Sequence, residues 1–361
     1  MQGTRRAFLR AIAASAAAMA VRPALAAESP RLVAPWLDAK GAPSLGLWTR
    51  HAAPDAKLDL PARVHAVTLD PAGRTCVAVA RRPGRFGVVV DLGRFEASQH
   101  FEASDGRHFF GHGVFADDGR LFVTSENDVE AGCGIVGVRD ARNGFRFVTE
   151  WQSGGVGPHD LALSADGNAL WVANGGIDMS PLSGRAKLNE DVIASSLVRL
   201  DLSSGRPAAL VTLGDGMASL SIRHLAVTGD GTVGFGCQET VRDGTIRPLV
   251  GAVGHNDRAR WFEAPPGGWH RLGGTIGEVA LDDAGTTLAA TAPMGGVCGL
   301  WDVASGACLG LIDLADCCGL GGVDAGFVVS SGRGTMLRAS AAGATPLIQT
   351  EGGFDNHLAV L

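Results

Sequence analysis

Histidine recurs at one position of a repeated sequence unit, which indicates that the position serves a chemical purpose. The five recurring residues, half of the ten histidines in the chain, are His65, His112, His159, His224 and His357. Neutral imidazole is a ligand for copper, iron, zinc and nickel. The pattern therefore predicts a metal site for copper or iron, with His112, His159, His224 and His357 as the expected ligands.

Further polar residues are expected around these histidines. Glu278 takes the histidine position in another unit, and we expect His65 and Glu278 to be partial ligands or partners of the ligands. Contacts to a bound cofactor or substrate are expected from the ends of the second strands, from the neighbour of His224 and from an insertion at residues 175–196. These predicted cofactor-binding residues are Glu126, Asn127, Asn174, Arg185, Lys187, Arg223 and Gln238.

Other readings of the same pattern remain open. Each histidine could bond the backbone of a neighbouring unit, or the histidines could line a polar funnel that binds an anion or a substrate. The chain could be a non-enzymatic scaffold that binds a partner protein. It could also be a hydrolytic propeller similar to lactonases, with a divalent cation held by Glu126, Asn174 and Glu278. No G-x-S-x-G, Walker, H-E-x-x-H or C-x-x-C-H motif occurs in the sequence.

The repeated unit consists of an apolar strand, an Asp/Gly turn, a second apolar strand and two further strands. One example begins His159-Asp-Leu-Ala-Leu-Ser-Ala-Asp-Gly167 and continues with Leu170-Trp-Val-Ala173. This is the plan of a propeller blade, and six such units follow one another from about residue 62. The last residues, His357 to Leu361, read as a first strand whose partners come from residues 31–60. The sequence predicts an all-β fold, a seven-bladed β-propeller with four-stranded blades closed by its two termini.

The N-terminus reads as a targeting segment. Residues 1–26 contain Arg5-Arg6, an Ala-rich apolar run and a cleavage pattern at Ala24-Leu25-Ala26, which predicts export by the twin-arginine pathway to the periplasm. Residues 27–361 are then a single propeller domain without a membrane span. Removal of four arginines moves the formal charge from -6 to about -10, which argues against nucleic acid as a partner.

At these residues the sequence resembles a group of exported bacterial propellers, domain-of-unknown-function family 1513. The resemblance rests on eight segments. They are Gly111-His-Gly-Val-Phe115, Ser125-Glu-Asn-Asp128, Gly137-Val-Arg-Asp140, Gly157-Pro-His-Asp160, Ala173-Asn-Gly-Gly-Ile177, Lys187-Leu-Asn189, Ser221-Ile-Arg-His-Leu225 and Asp355-Asn-His-Leu358. The resemblance implies a seven-bladed periplasmic propeller associated with iron-acquisition proteins, which are the expected partners.

Overall fold

Short apolar segments separated by Asp/Gly turns form antiparallel hairpins, and these hairpins build every sheet of the protein. The computed structural model describes residues 30–178, 189, 193–241 and 243–361. Within these residues the strands form seven antiparallel sheets, and a 3-10 helix at Trp269–Leu272 lies in one of the connections between sheets. Residues 31–361 belong to one compact unit. The prediction of an all-β, seven-bladed propeller is confirmed.

Three strands precede the repeated units and form the outer part of a closing blade. They are β1 Leu32–Leu37, β2 Pro43–Trp48 and β3 Ala56–Asp59. The three run antiparallel to one another, with Leu32 opposite Trp48 and Leu47 opposite Ala56.

Six internal blades follow, each with four strands in chain order from the axis outward. Blade one contains β4 Val64–Leu69, β5 Thr75–Ala80, β6 Phe86–Asp91 and β7 Glu96–Glu102. Blade two contains β8 Arg107–Ala116, β9 Leu121–Asp128, β10 Cys133–Asp140 and β11 Arg146–Gln152. Blade three contains β12 Pro158–Leu163, β13 Ala169–Asn174, β14 Ser196–Asp201 and β15 Pro207–Thr212.

The second half of the ring repeats this order. Blade four contains β16 Leu220–Val227, β17 Val233–Glu239, β18 Val250–Val253 and β19 Ala259–Trp261. Blade five contains β20 Glu278–Leu281, β21 Thr287–Ala292, β22 Val297–Asp302 and β23 Cys308–Asp313. Blade six contains β24 Cys317–Val323, β25 Gly326–Ser331, β26 Thr335–Ser340 and β27 Gly343–Gln349.

The C-terminus completes the closing blade. Two short strands, β28 Gly353–Phe354 and β29 Ala359–Val360, pair antiparallel with β1, so that Phe354 lies opposite Trp36 and Ala359 opposite Val33. Closure by both termini is confirmed, and it leaves the inner ring without an open sheet edge. The inner strand of this blade is interrupted between Phe354 and Ala359, where His357 has a left-handed φ of 63° that an extended strand does not accommodate.

Burial follows from the position of a strand in its blade. The middle strands pack on both faces against neighbouring blades, and the five residues from Cys76 to Ala80 in β5 are all buried. The outer strands face solvent, and β27 is exposed over most of its length. Separate apolar clusters fill the spaces between blades, such as the one shared by Val77 of blade one and Phe122 of blade two. In the part of the chain that the structure describes, no helix is long and apolar enough to cross a membrane.

The buried carboxylate of Asp355 joins the closing blade to blade one. It accepts hydrogen bonds of 2.6 and 2.7 Å from the guanidinium of Arg63 and one of 3.2 Å from Arg81. Its backbone N–H donates to the carbonyl of Pro35 in β1. Since this bidentate pair links residues 292 positions apart, it fixes the closure of the ring.

We predict that Asp355→Ala weakens the closure of the propeller. Two guanidiniums lose their shared partner, and the free energy of unfolding should fall by about 2–4 kcal/mol. Urea unfolding followed by circular dichroism measures the change. The matched control is Asp105→Ala, because that exposed carboxylate pairs with Arg85 at the surface and should contribute little. Equal effects of the two substitutions would contradict the proposed role of Asp355.

Candidate metal centre

A β-bulge occurs at the repeated histidine position of the inner strands. The pairing register slips between Val64 and Ala66 in β4 and between Pro158 and Asp160 in β12, so that His65 and His159 are the extra residues. In β8 the slip runs from Phe109 to Gly113 and includes His112. A bulge twists the strand locally and redirects its side chain. Three blades therefore have a β-bulge at the repeated histidine position of the inner strand.

In blade four the extra residue of the bulge is not the histidine but the residue before it. The register slips between Ile222 and His224, which leaves Arg223 as the extra residue and pairs His224 with Gly236. Both Arg223 and His224 line the central cavity. In the closing blade, the left-handed backbone of His357 replaces the bulge.

The five recurring histidines meet at the axis of the propeller and are all buried. His112 lies at the centre of the group, with ring centroids 4.8 Å from those of His65 and His159, 4.6 Å from that of His357 and 5.5 Å from that of His224. We call these five residues the hub. Two triads offer donor atoms that lie within 4.8 Å of one another, and they are His65, His112, His159 and His112, His224, His357.

Two carboxylates orient two of the hub rings. Asp160 accepts a hydrogen bond of 3.0 Å from Nδ1 of His112 and another from the backbone N–H of Leu225 in the next blade. Glu278 lies 2.8 Å from Nδ1 of His357 and accepts a bond from the backbone N–H of Leu320. Such carboxylates fix the tautomer, so Nε2 is left as the ligand atom. Glu278 is therefore a partner of His357.

Sequence reasoning did not select Asp160 as a site residue. A signal was present, because Asp160 directly follows His159 in the segment Gly157-Pro-His-Asp160. Its significance depends on His112 of the preceding blade, which lies 48 positions earlier in the chain. Only the ring of blades brings the two residues into contact.

Each hub ring has one buried nitrogen without a hydrogen-bond partner. These atoms are Nδ1 of His65, Nε2 of His112, Nδ1 of His159, Nδ1 of His224 and Nε2 of His357. A buried polar atom without a partner costs about 1–3 kcal/mol. Five such atoms close together lower the stability of the fold considerably unless a ligand binds to them. A cation held by one of the two triads would be bound by three of these rings at once.

Burial keeps most of the hub rings neutral. Loss of solvation and the neighbouring histidines hold the pKa values of His65 and His224 well below the ordinary value of 6.5, and burial with the charge of Arg223 does the same for His159. Burial also lowers the pKa of His112, although Asp160 opposes it. Burial acts against protonation of His357 too, but Glu278 overcomes it and raises its pKa. Neutral imidazole is the form that binds a metal.

Gly111 makes room for the ring of His65. Its backbone has a φ of 109°, and a Cβ at this position would lie 2.5 Å from Cβ and 2.6 Å from Cδ2 of His65. A side chain at residue 111 would therefore displace one hub ring.

A funnel of about 630 Å³ leads from the surface to the hub. His65, His159 and His224 lie on its wall, together with two of the predicted cofactor-binding residues, Arg223 and Gln238. Burial and the charge of Arg82 lower the pKa of Arg223 to about 9, so Arg223 remains a cation at neutral pH. The apolar part of the wall includes Phe110, Ile177 and Met294.

Three of the other predicted cofactor-binding residues do not line the funnel. Glu126 is buried within blade two, 2.7 Å from Arg139, and does not line the funnel. Asn127 is also buried, and the side chain of Asn174 donates to the carbonyl of Ser153. Asn174 ends β13 as expected, whereas Glu126 and Asn127 lie within β9, which continues to Asp128. All three side chains are buried. Arg185 and Lys187 fall outside the described residues.

The sequence matches the family described as "Protein of unknown function (DUF1513)" over residues 58–361. The chain belongs to this family. The resemblance seen in the sequence is confirmed, and the family's match includes the hub, Asp160 and Glu278. No curated protein matches the chain.

Among solved structures, a chain of hydrazine synthase from Kuenenia stuttgartiensis is similar to this one. The TM-score is 0.59 at 12% sequence identity, and the similarity covers 88% of this chain and 95% of that chain. At this identity the similarity shows the fold alone.

We predict that the metal-free protein loses stability as the pH falls below 6.5. His65, His159 and His224 have lowered pKa values in the folded state, so the unfolded chain binds more protons there and is favoured by acid. Each ring that stays neutral should cost roughly 1.4 kcal/mol per pH unit. His357 has a raised pKa, so its stabilising contribution grows as the pH falls toward 6.5 and is constant below that pH.

Urea unfolding of the metal-free protein between pH 7.5 and 5.5 measures this effect. The loss should become much shallower when His159 and His224 are both replaced by Leu, because Leu does not titrate and only His65 and His112 then keep lowered pKa values. A stability that is flat over this range in the unaltered protein would contradict neutral burial of the hub.

Proposed function

We propose that this protein is a metal-binding propeller that holds one copper or iron ion at its hub. The observation that carries the proposal is the meeting of five buried histidines in two triads of possible ligands, each ring with one buried nitrogen that has no hydrogen-bond partner. His112, His224 and His357 form one triad of ligands, and two of these rings are already oriented by carboxylates. His65 and His159 form the second possible triad together with His112.

The two triads support one ion rather than two. They share His112, whose Nδ1 is committed to Asp160. Only Nε2 of this ring is left as a donor, and one nitrogen lone pair binds one ion. The site is therefore best described as a single centre whose ligands are chosen from five rings.

The donor chemistry favours a first-row transition metal. Both triads consist of imidazole alone, without thiolate or carboxylate oxygen. Nitrogen donors suit copper and iron, and a neutral ligand set binds copper(II) most tightly among the divalent ions of this row. A hard oxygen-loving ion such as calcium does not fit this set. We propose a redox or metal-handling role on this basis.

The alternative functions have less support. Hub histidines with a purely structural role would bond to the backbone, whereas the two hub rings with a partner at Nδ1 bond to carboxylates. For a hydrolytic site, Glu126, Asn174 and Glu278 would have to converge on a cation. Each of these side chains bonds to a protein group, and none of them lines the funnel.

Compartment and partners are part of the proposal. The leader predicted at residues 1–26 lies outside the described residues, and its twin arginines support export to the periplasm in a folded state. Export after folding would allow the ion to be inserted before the protein leaves the cytoplasm. We propose that the protein acts beside periplasmic iron-acquisition proteins, which the family resemblance supports.

We predict that the protein exported by its own leader carries close to one copper or iron ion per chain. Elemental analysis of material purified from the periplasm, without chelator or histidine tag, measures the content and identifies the metal. The double variant His159→Leu/His224→Leu should lose the ion. It should stay folded, because Leu fills the space of rings whose buried nitrogens make no hydrogen bond.

The matched control is His100→Leu/His255→Leu, which changes two exposed histidines away from the hub. It should keep the metal content of the parent protein. A stable parent protein without stoichiometric metal would overturn the proposed function, and so would full metal content in the hub variant.

We predict a second effect at Asp160. Asp160→Asn removes the charge that holds His112 and should weaken metal binding by about 10- to 100-fold, because the ring loses its fixed tautomer. Competition titration with a chromogenic chelator measures the dissociation constant. Asp118→Asn changes an exposed carboxylate at the turn between β8 and β9 and serves as the control. Equal affinities of the two variants would show that Asp160 does not orient a ligand.

A further inference from the structure

Ser125 is a fully buried residue of β9, the second strand of blade two. It lies opposite the slip in the pairing register of β8, because the residues on either side of it pair with Gly113 and Phe109. His112 is within that slip. A bulge disrupts the ladder of backbone hydrogen bonds, and a hydroxyl placed opposite it can bond the backbone groups that are released.

The hydroxyl of Ser125 contacts the backbone of two hub histidines. Its Oγ donates to the carbonyl oxygen of His159 at 3.0 Å and lies 3.3 Å from that of His112. A hydroxyl has one proton to donate, so the shorter contact to His159 is the main hydrogen bond and His112 shares the proton. His159 is itself the extra residue of the bulge in β12. One side chain thus connects the bulges of two neighbouring blades.

A second hydroxyl makes the equivalent connection between blades five and six. Thr291 in β21 is also fully buried, and its Oγ1 donates to the carbonyl of Cys318 at 3.0 Å. Cys318 lies in β24, within the register slip from Cys317 to Leu320. The bond of Thr291 therefore ends on a cysteine outside the hub, whereas the bond of Ser125 ends on the backbone of hub residues.

The bond of Ser125 affects the spacing of two hub rings. The ring centroids of His112 and His159 are 4.8 Å apart, and both residues belong to one triad of possible ligands. Asp160 fixes the direction of the His112 ring through Nδ1, and Ser125 holds the backbone from which that ring projects. A metal site needs its ligands within about 0.5 Å of their productive positions, which requires support at both levels.

We propose that Ser125 is a positioning residue of the metal centre, which holds His112 and His159 at a fixed separation through their carbonyl groups. The inference deepens the proposed function and rests on it for the bound ion. The positions of the rings can be measured without a metal, so that the two proposals fail separately.

The first test uses metal-free protein at pH 7.5 with isotope-labelled histidines. NMR of the ring nitrogens compares Ser125→Ala with the matched control Thr291→Val, and His112→Leu and His159→Leu assign the signals. Ser125→Ala should shift the ring signals of His112 and His159, whereas Thr291→Val should leave them at the positions of the parent protein. Thermal unfolding should show similar losses in both variants, because each loses one buried hydrogen bond.

The second test uses copper(II) as the probe. Competition titration with a chromogenic chelator should show that Ser125→Ala binds copper(II) about tenfold more weakly than the parent protein, and that Thr291→Val binds it as the parent does. Ser125→Thr and Ser125→Val have the same shape and differ in the hydroxyl. Ser125→Thr should keep the ring signals and Ser125→Val should shift them, and this pair decides the question if Ser125→Ala does not fold.

Unshifted ring signals in Ser125→Ala, or equal shifts in Ser125→Ala and Thr291→Val, would overturn the proposal whether or not a metal binds. Shifted signals with an unchanged copper(II) affinity would overturn the role of Ser125 in metal binding. A parent protein that binds neither copper nor iron would contradict the proposed function, and the NMR comparison would still decide whether Ser125 holds the two rings.

Discussion

The desolvation of five imidazoles around one axis is the constraint on which the rest of this structure depends. Each ring has one buried nitrogen without a hydrogen-bond partner among the described residues. At about 1–3 kcal/mol for each such atom, the penalty is comparable with the whole stability of many domains. The blades must bury enough apolar surface to offset this penalty. The middle strands contribute to that burial, as the buried run from Cys76 to Ala80 in β5 illustrates. A bound cation would turn this penalty into ligand-binding energy.

The backbone adapts to this requirement at the same point in several blades. Bulges in β4, β8 and β12 include His65, His112 and His159, and the left-handed backbone at His357 produces a comparable result in the closing blade. Because the inner strand of that blade is broken at His357, closure relies on other contacts nearby. The bonds from Asp355 to Arg63 and Arg81 lie within the same break. Closure of the ring and construction of the hub are therefore parts of one local structure.

Two carboxylates at the hub each make two contacts. Asp160 and Glu278 hold His112 and His357, and each also accepts a backbone N–H from the inner strand of the following blade. These carboxylates connect blades and orient ligands at once. Arg223 lines the funnel that leads to the hub.

The sequence by itself determined the number of blades, the closure by both termini and the repeated histidine position. These features are local or periodic, since a strand, its turn and the next strand are adjacent in the chain. Only the tertiary structure decided which polar residues belong to the site. Glu126 was expected at a strand end but lies within β9 and is enclosed with Arg139, while Asp160 is next to a hub residue in sequence and acts on His112 in the preceding blade. The physical reason is that a bulge of one residue changes the direction of a side chain, and neither bulges nor contacts between blades are encoded in strand periodicity.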